Sequence, residues 1–289
     1  MSNTFDNYKE FVSNFVSTHK KACSIPLGEH IQSAYGKSEF KMMLFSPHPD
    51  DECVVGALPL RMRKELGTRI INVAVTLGSN VDRKQGRLDE LMNACKTLGF
   101  ELLMPCDNAL DDINPKGRAD EKEWVEKVNL IARILLDEKP EIVLFPHNED
   151  FNSTHIGVNL LLHDALKAAS DEDPSFRAIV IETEFWQMMD NPNLMVGLTH
   201  EDEAELIFAL SAHTEEVERN PYHINHPARM LDNVTRGSEV IGGQGGQAAD
   251  FDFAMIYRCS VFEKAEIHSP WENGRIINTT DDLSFLFEL

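Results

Sequence analysis

The stretch KMMLFSPHPDDECVVG, Lys41 to Gly56, decides how the chain is read. Its first half is a short apolar run bounded by proline, the pattern of a strand buried on both faces. Its second half crowds one histidine, two adjacent aspartates and a glutamate behind two prolines. A polar cluster leaving the carboxyl end of a buried strand sits where open parallel sheets bind their ligands. His48 and Asp51, three positions apart, can converge on one ion if the prolyl turn folds the chain back. Zinc accepts imidazole nitrogen and carboxylate oxygen, and hydrolytic sites typically use three protein ligands with a fourth position for water. A third ligand is therefore required.

Apolar runs of the same kind recur downstream as RIINVAVTL, ELLMP, EIVLFP and AIVIETEF, alternating with amphipathic segments. That alternation predicts an α/β fold, a mostly parallel sheet with helices on both faces. Leu88, Leu91, Met92, Cys95 and Leu98 form one helical stripe, opened by a capping box of Ser79 and Asp82, and Trp124, Val128, Ile131 and Leu135 form another. Thr199 and Asp202 cap a third helix, on which Leu206, Leu210, His213 and Val217 share a face. Pro59 conflicts with a helix directly after the opening cluster, because an interior proline costs about 3 kcal/mol. That helix either kinks there or begins later. Phe11, Phe15 and Val16 at helical spacing mark an N-terminal helical appendage over residues 1–38. A core over 39–262 and a C-terminal tail over 263–289 complete a single α/β domain.

The chain has 289 residues, 42% of them hydrophobic, enough to bury a full core. Its 48 acidic against 27 basic side chains give a formal net charge of −21, which argues against nucleic acid and anionic membranes as partners. The five cysteines, Cys23, Cys53, Cys95, Cys106 and Cys259, are scattered and form no C-x-x-C pair, as expected in a reducing cytoplasm. The first residues lack a secretory leader pattern, and no apolar run approaches the ~20 residues that span a bilayer. A soluble, cytoplasmic protein is expected.

The second constellation is LFPHNEDFNSTHIGV, which also comes directly off an apolar strand and opens a helical pattern at about Ser153. His155 falls in that helix's first turn, where the positive end of the dipole disfavours imidazolium and keeps a nitrogen available for metal. Two clusters leaving two parallel strands at one edge can meet, and His48, Asp51 and His155 then make a site with an open coordination position.

The PHPDDE run, the helix carrying Arg87 and Glu90 before ACKTLGF, and a second cluster ending in histidine at a helix start together resemble the PIG-L/LmbE-like zinc-dependent N-deacetylases. The resemblance covers roughly residues 40 to 260. It implies a Rossmann-like fold and removal of an acetyl or related acyl group from an N-acylated amino sugar or its conjugate. Residue by residue, it implies that His48, Asp51 and His155 hold zinc, with iron(II) or another divalent ion as an alternative. It further implies that Asp50 is the general base toward zinc-bound water, with Glu52 supporting the loop. Many relatives carry His-Pro-Asp-His in the second cluster, whereas this chain reads Asn152-Ser153-Thr154-His155. The ligand is kept and its upstream histidine is not, so Asn152 or the displaced His147 becomes the candidate to stabilise the oxyanion. The departure bears on the substrate more than on the metal.

Further candidates have bland alternatives. Arg87 could bind a substrate hydroxyl or carboxylate, or lie on a solvated face paired with Glu90. His213 sits on an apolar face, as core histidines do, although relatives have a comparable histidine facing the site. Glu182, Glu184 and Trp186, at a strand end, could line a sugar pocket, against an edge row of salt bridges. Gly243, Gly245 and Ala248 fit G-x-G-x-x-A, but a strand follows them where a dinucleotide site needs a helix, so a nicotinamide site is rejected. The expected partner is a small N-acylated sugar-type substrate, and the number of subunits is left open, a homo-oligomer included. The competing functions are a metal-dependent hydrolase of a non-sugar amide or phosphoester, and a protein that binds a ligand without turnover.

Overall fold

The structure is a computed structural model that describes residues 4–27, 30–245 and 247–289. In chain order it runs α1 (Thr4–Ala22), β1 (Lys41–Ser46), α2 (Asp51–Val54), α3 (Ala57–Leu66), β2 (Arg69–Ala74), α4 (Lys84–Leu98) and β3 (Glu101–Leu103). There follow α5 (Glu121–Glu138), β4 (Ile142–Pro146), α6 (Ser153–Glu172), β5 (Arg177–Thr183) and β6 (Leu194–Leu198). The chain ends with α7 (His200–Leu210), α8 (Thr214–Arg219), α9 (Tyr222–Val240), β7 (Phe253–Glu263), β8 (Glu266–His268) and β9 (Arg275–Ile277).

The strands form one sheet in the order β3-β2-β1-β4-β5-β7-β6-β9, with β8 pairing β7. From β3 to β5 every pairing is parallel; β7 then runs antiparallel to both β5 and β6. After β1 the chain travels toward β2 and β3, and after β4 it travels the other way toward β5. Between β1 and β4 the connections diverge, which opens a crevice at the carboxyl ends of the two strands.

Alternating side chains divide the core. Met42, Leu44, Ile142 and Leu144 point into a cluster with residues of α3, α4 and α7, while Met43, Phe45, Val143 and Phe145 point into a second cluster with α5 and α6. The all-apolar runs of β1 and β4 follow from being covered on both faces. The expected α/β fold with helices on both faces is the observed one. Arg61 is fully buried, and its guanidinium is satisfied by Glu65 and by the carbonyls of Gly197, Asn278, Thr279 and Asp281. It ties the last residues of the chain to the core.

Several local expectations change. The helix after the opening cluster breaks at Val55-Gly56, so Pro59 stands in the first turn of α3, where its missing N–H costs nothing. Asn80, not Ser79, caps a short 3-10 turn before α4, and Met92 turns out to solvent while Ala94 fills the buried stripe. The helix expected from Thr199 through Val217 is interrupted: α7 stops at Leu210, and His213, with φ −81° and ψ 66°, restarts the chain as α8. Phe11, Phe15 and Val16 lie on α1, which buries none of its residues. Of the glycine run between α9 and β7, Gly243 and Gly245 adopt positive φ, and Gly246 lies outside the described residues.

Candidate metal centre

The first loop is built to hold a sharp turn. Asp50 has φ 113°, a conformation that costs a non-glycine residue energy and persists only when its surroundings fix it. Glu52 does so through one oxygen, which accepts the Asp50 backbone N–H at 3.0 Å. Its other oxygen lies 2.7 Å from His213 Nε2 and accepts the Cys53 thiol at 3.2 Å. The Thr76 hydroxyl donates to the Pro47 carbonyl at 2.7 Å, and Arg87 Nη2 donates to the Pro49 carbonyl at 3.1 Å. Asp51 Oδ2 closes the turn by accepting the His48 N–H at 2.9 Å.

The second loop delivers one candidate ligand. Asn152 caps α6, its side-chain oxygen accepting from the N–H groups of Thr154 at 2.9 Å and His155 at 3.4 Å. His155 thus sits in the first turn, almost fully buried, with the edge of Phe185 against its ring. Asp150 Oδ2 stands 3.4 Å from His155 Nδ1, and the Asp150 carboxylate is itself held by the N–H groups of Asn152 and Trp186. A carboxylate behind a metal-ligating histidine fixes its tautomer and ring orientation.

The three candidate ligand atoms converge. His48 Nδ1 is 3.3 Å from Asp51 Oδ2 and 3.3 Å from His155 Nε2, and His155 Nε2 is 3.4 Å from Asp51 Oδ2. An ion bound tetrahedrally at about 2.0–2.1 Å needs donor-to-donor edges of about 3.3–3.4 Å. The triangle therefore matches one face of such a tetrahedron, and two imidazoles with one carboxylate suit zinc or iron(II). The electrostatics agree. Burial works against charge on His155, yet Asp51 and Asp150 outweigh it and push the imidazole up to about 9. Burial likewise works against charge on Asp51, and the two imidazoles outweigh it, holding the carboxyl below the usual range. The field at this point favours a cation.

Asp50 differs from its neighbours. Burial first, and then the adjacent Asp51 charge, push its carboxyl well above the usual range. Among the described residues its carboxylate accepts no hydrogen bond, and it lines the cavity of about 570 Å³ into which His48, Asp51 and His155 also face. A second grouping, Glu52, Cys53 and His213, also has close ligand-type atoms. All three residues are buried, Glu52 Oε1 is already shared between the Cys53 thiol and His213, and burial followed by the Glu52 charge raises the Cys53 thiol.

Of the remaining sequence candidates, Arg87 and Asn152 line the cavity. Arg87 does not pair with Glu90, which is engaged instead by Thr214 and the Glu215 N–H. His147, Glu184 and His213 do not line it. Both ring nitrogens of His147 are taken, by the Gln187 carbonyl and the Glu149 N–H. Glu184 is turned to Arg236 and the Met189 N–H, and His213 to Glu52. Three features went unread in the sequence: Asp150, and Tyr222 and Arg229 on α9. Asp150 stood inside the quoted second cluster, five residues before His155, and a carboxylate near a ligand histidine was the available signal. Nothing local marked α9.

Residues 43–166, from β1 into α6 and including all three converging residues, match the family described as PIG-L: GlcNAc-PI de-N-acetylase. The fold is similar to that of the N,N′-diacetylchitobiose deacetylase from Pyrococcus horikoshii, at 14% identity and a TM-score of 0.54 over 91% of this chain and 97% of that one. It is similar also to the 4-carboxy-2-hydroxymuconate hydratase from Pseudomonas putida KT2440, at 16% identity and a TM-score of 0.58 over 76% and 95%. The zinc inhibited form of teicoplanin deacetylase is likewise similar, at 14% identity and a TM-score of 0.53 over 77% and 98%. At these identities the structural likeness is one of fold. No curated protein sequence matches the chain. Among the described residues no helix is long and apolar enough to cross a membrane. The family match, confined to residues 43–166, supports an enzyme of the hydrolase kind.

Proposed function

We propose that the protein is a metal-dependent deacylase that hydrolyses the amide of an N-acylated amino sugar or a conjugate of one. The observation that carries this reading is the pairing of a triangle of ligand atoms, from His48, Asp51 and His155, with a cavity-lining Asp50 carboxylate that accepts no hydrogen bond among the described residues. The triangle would hold a divalent ion, which when bound supplies Lewis acidity toward an amide carbonyl and acidifies water.

The chain's own groups divide the rest. Asp50 takes the proton of the attacking water and returns it to the departing amine nitrogen. Its backbone, pinned by Glu52, fixes the direction of that transfer. The Asn152 side-chain oxygen is consumed by the α6 cap, which leaves its amide N–H groups to donate toward the developing oxyanion in place of the histidine that many relatives carry. Arg87 Nη2 holds the Pro49 carbonyl, and the guanidinium borders the cavity where a sugar hydroxyl would lie. Trp186 and Tyr222, ring centroids 5.3 Å apart, form an apolar wall suited to a sugar face.

Metal analysis coupled to amine release from N-acetylglucosamine derivatives tests the reading. Wild type is expected to carry stoichiometric divalent metal and release amine. Asp50→Asn is expected to keep the metal and lose roughly 10²–10⁴-fold in turnover. Wild type without divalent metal, or an Asp50→Asn variant of undiminished activity, would overturn it.

A further inference from the structure

Beside the polar cavity lies a second, smaller chamber of about 120 Å³ that shares Asp50, Asp51, Trp186 and Tyr222 with it. Val54, Phe185 and the rings of Trp186 and Tyr222 make its wall largely apolar, and Arg229 of α9 lines it. The reaction centre thus stands between two compartments of unequal size and polarity. A sugar needs the wide polar one; the narrow one has room for roughly four water volumes, more than an acetyl methyl fills.

Arg229 is the unexplained group there. Its side chain has no hydrogen-bond or ion-pair partner among the described residues, although burial weakens its hold on the proton relative to a free guanidinium. Its neighbours are arranged otherwise. Two turns along the same helix, Arg236 forms a two-pronged pair with Glu184, which also accepts the Met189 N–H. Asp150, the other nearby carboxylate, is committed to His155, Asn152 and Trp186. The imidazole of His226, also on the chamber wall, is spent on Glu203 and the Val54 carbonyl. The half-buried guanidinium therefore borders the chamber with its donors uncommitted to protein groups among the described residues, and its planar fork matches a carboxylate.

We propose that the chamber takes the acyl half of the substrate and that Arg229 binds a carboxylate at its far end, so that the preferred substrate is the monoamide of a short dicarboxylic acid. The proposal rests on the deacylase reading and narrows its acyl group. Water adds to the amide carbonyl, the C–N bond breaks, the proton goes to the amine, and the products are the free amino sugar and a dicarboxylate. A phosphate would bring a second negative charge next to Asp50, Asp51 and Asp150, which disfavours it.

The test compares amine release from glucosamine carrying N-acetyl, N-butyryl and N-succinyl groups by the metal-loaded protein. Wild type is expected to favour N-succinyl over N-butyryl by at least tenfold in kcat/KM, and Arg229→Met to reduce that ratio by roughly 10–100-fold, as loss of a charge-assisted contact does. Arg229→Lys should keep part of it. Thermal unfolding of wild type with succinamate or butyramide gives a reading that needs neither turnover nor a folded variant: succinamate alone should raise the midpoint. Release from N-acetyl but not N-succinyl substrate, an unchanged ratio in Arg229→Met, equal loss on both longer substrates, or equal midpoint shifts with the two amides would each overturn the proposal. Release from none of the three substrates would instead bring down the deacylase reading, and the proposal with it.

Discussion

Asp150 and His155 form one buried carboxylate–histidine pair at the ligand-bearing edge, and Glu52 and His213 form another. In the first, the partners stand 3.4 Å apart and the second ring nitrogen faces His48 and Asp51. In the second, they stand 2.7 Å apart, both are fully buried, and the second ring nitrogen meets nothing among the described residues. The chemistry of the two pairs is alike. What each does depends on the far side: one histidine is aimed at a ligand position, while the other anchors a glutamate whose remaining oxygen holds the backbone of Asp50. The first pair orients a candidate metal ligand, and the second holds a strained turn in place.

Separating the pairs by mutation sharpens or breaks this contrast. Glu52→Ala should have the largest effect, about 3–5 kcal/mol of unfolding free energy by denaturant titration, because it strands a buried imidazole, a thiol and the Asp50 N–H. A change under ~1 kcal/mol would mean that the second pair supports nothing. Asp150→Asn should instead lower metal affinity by about 10–100-fold in competition with a chelator. It should leave the unfolding midpoint of the metal-free protein close to wild type. If the two variants exchanged phenotypes, the assignment of roles would be reversed.

The smallest effect concerns pH. Burial opposes charge on His213, but Glu52, with Asp50 and Glu90 also facing it, outweighs burial and raises its pKa. Stability from that charge is complete below the unfolded value of about 6.5 and is lost as pH rises through the raised folded value. Between those values the folded chain binds the extra proton, so unfolding free energy should fall by up to about 1.4 kcal/mol per pH unit. Glu52→Gln should flatten that slope relative to wild type; equal slopes in the two proteins would show that His213 is uncharged.

The first pair was half legible in the sequence and the second hardly at all. His48, Asp51 and His155 could be read because each lies within a few residues of a strand end, and strand ends at a parallel edge are places where ligands gather. Asp150 escaped because aspartates in loops usually make turns, and it does that as well, accepting the Asn152 N–H. Glu52 and His213 are 161 residues apart, and no local pattern announces a contact of that span. The five parallel strands were evident from their apolar runs, whereas β8 and β9, three residues each and largely exposed, carry no buried apolar run to mark them. The break between α7 and α8 is not visible in the sequence because Leu206, Leu210 and Val217 do keep helical spacing; the chain leaves the helix after Leu210, and His213 in the break meets Glu52.

The antiparallel strand β7, inserted between β5 and β6, has a consequence for biosynthesis. By Thr183 the emerging chain contains all three candidate ligands and every parallel strand from β3 to β5. The partner that covers the outer edge of β5 begins only at Phe253, seventy residues later. At ribosomal rates of about 5–20 residues per second, that edge stays open for roughly 4–14 s. During those seconds β5 offers the row of unpaired N–H and C=O groups that recruits foreign strands. The nascent protein is thus most prone to aggregate after its three candidate ligands have emerged and before its sheet is complete.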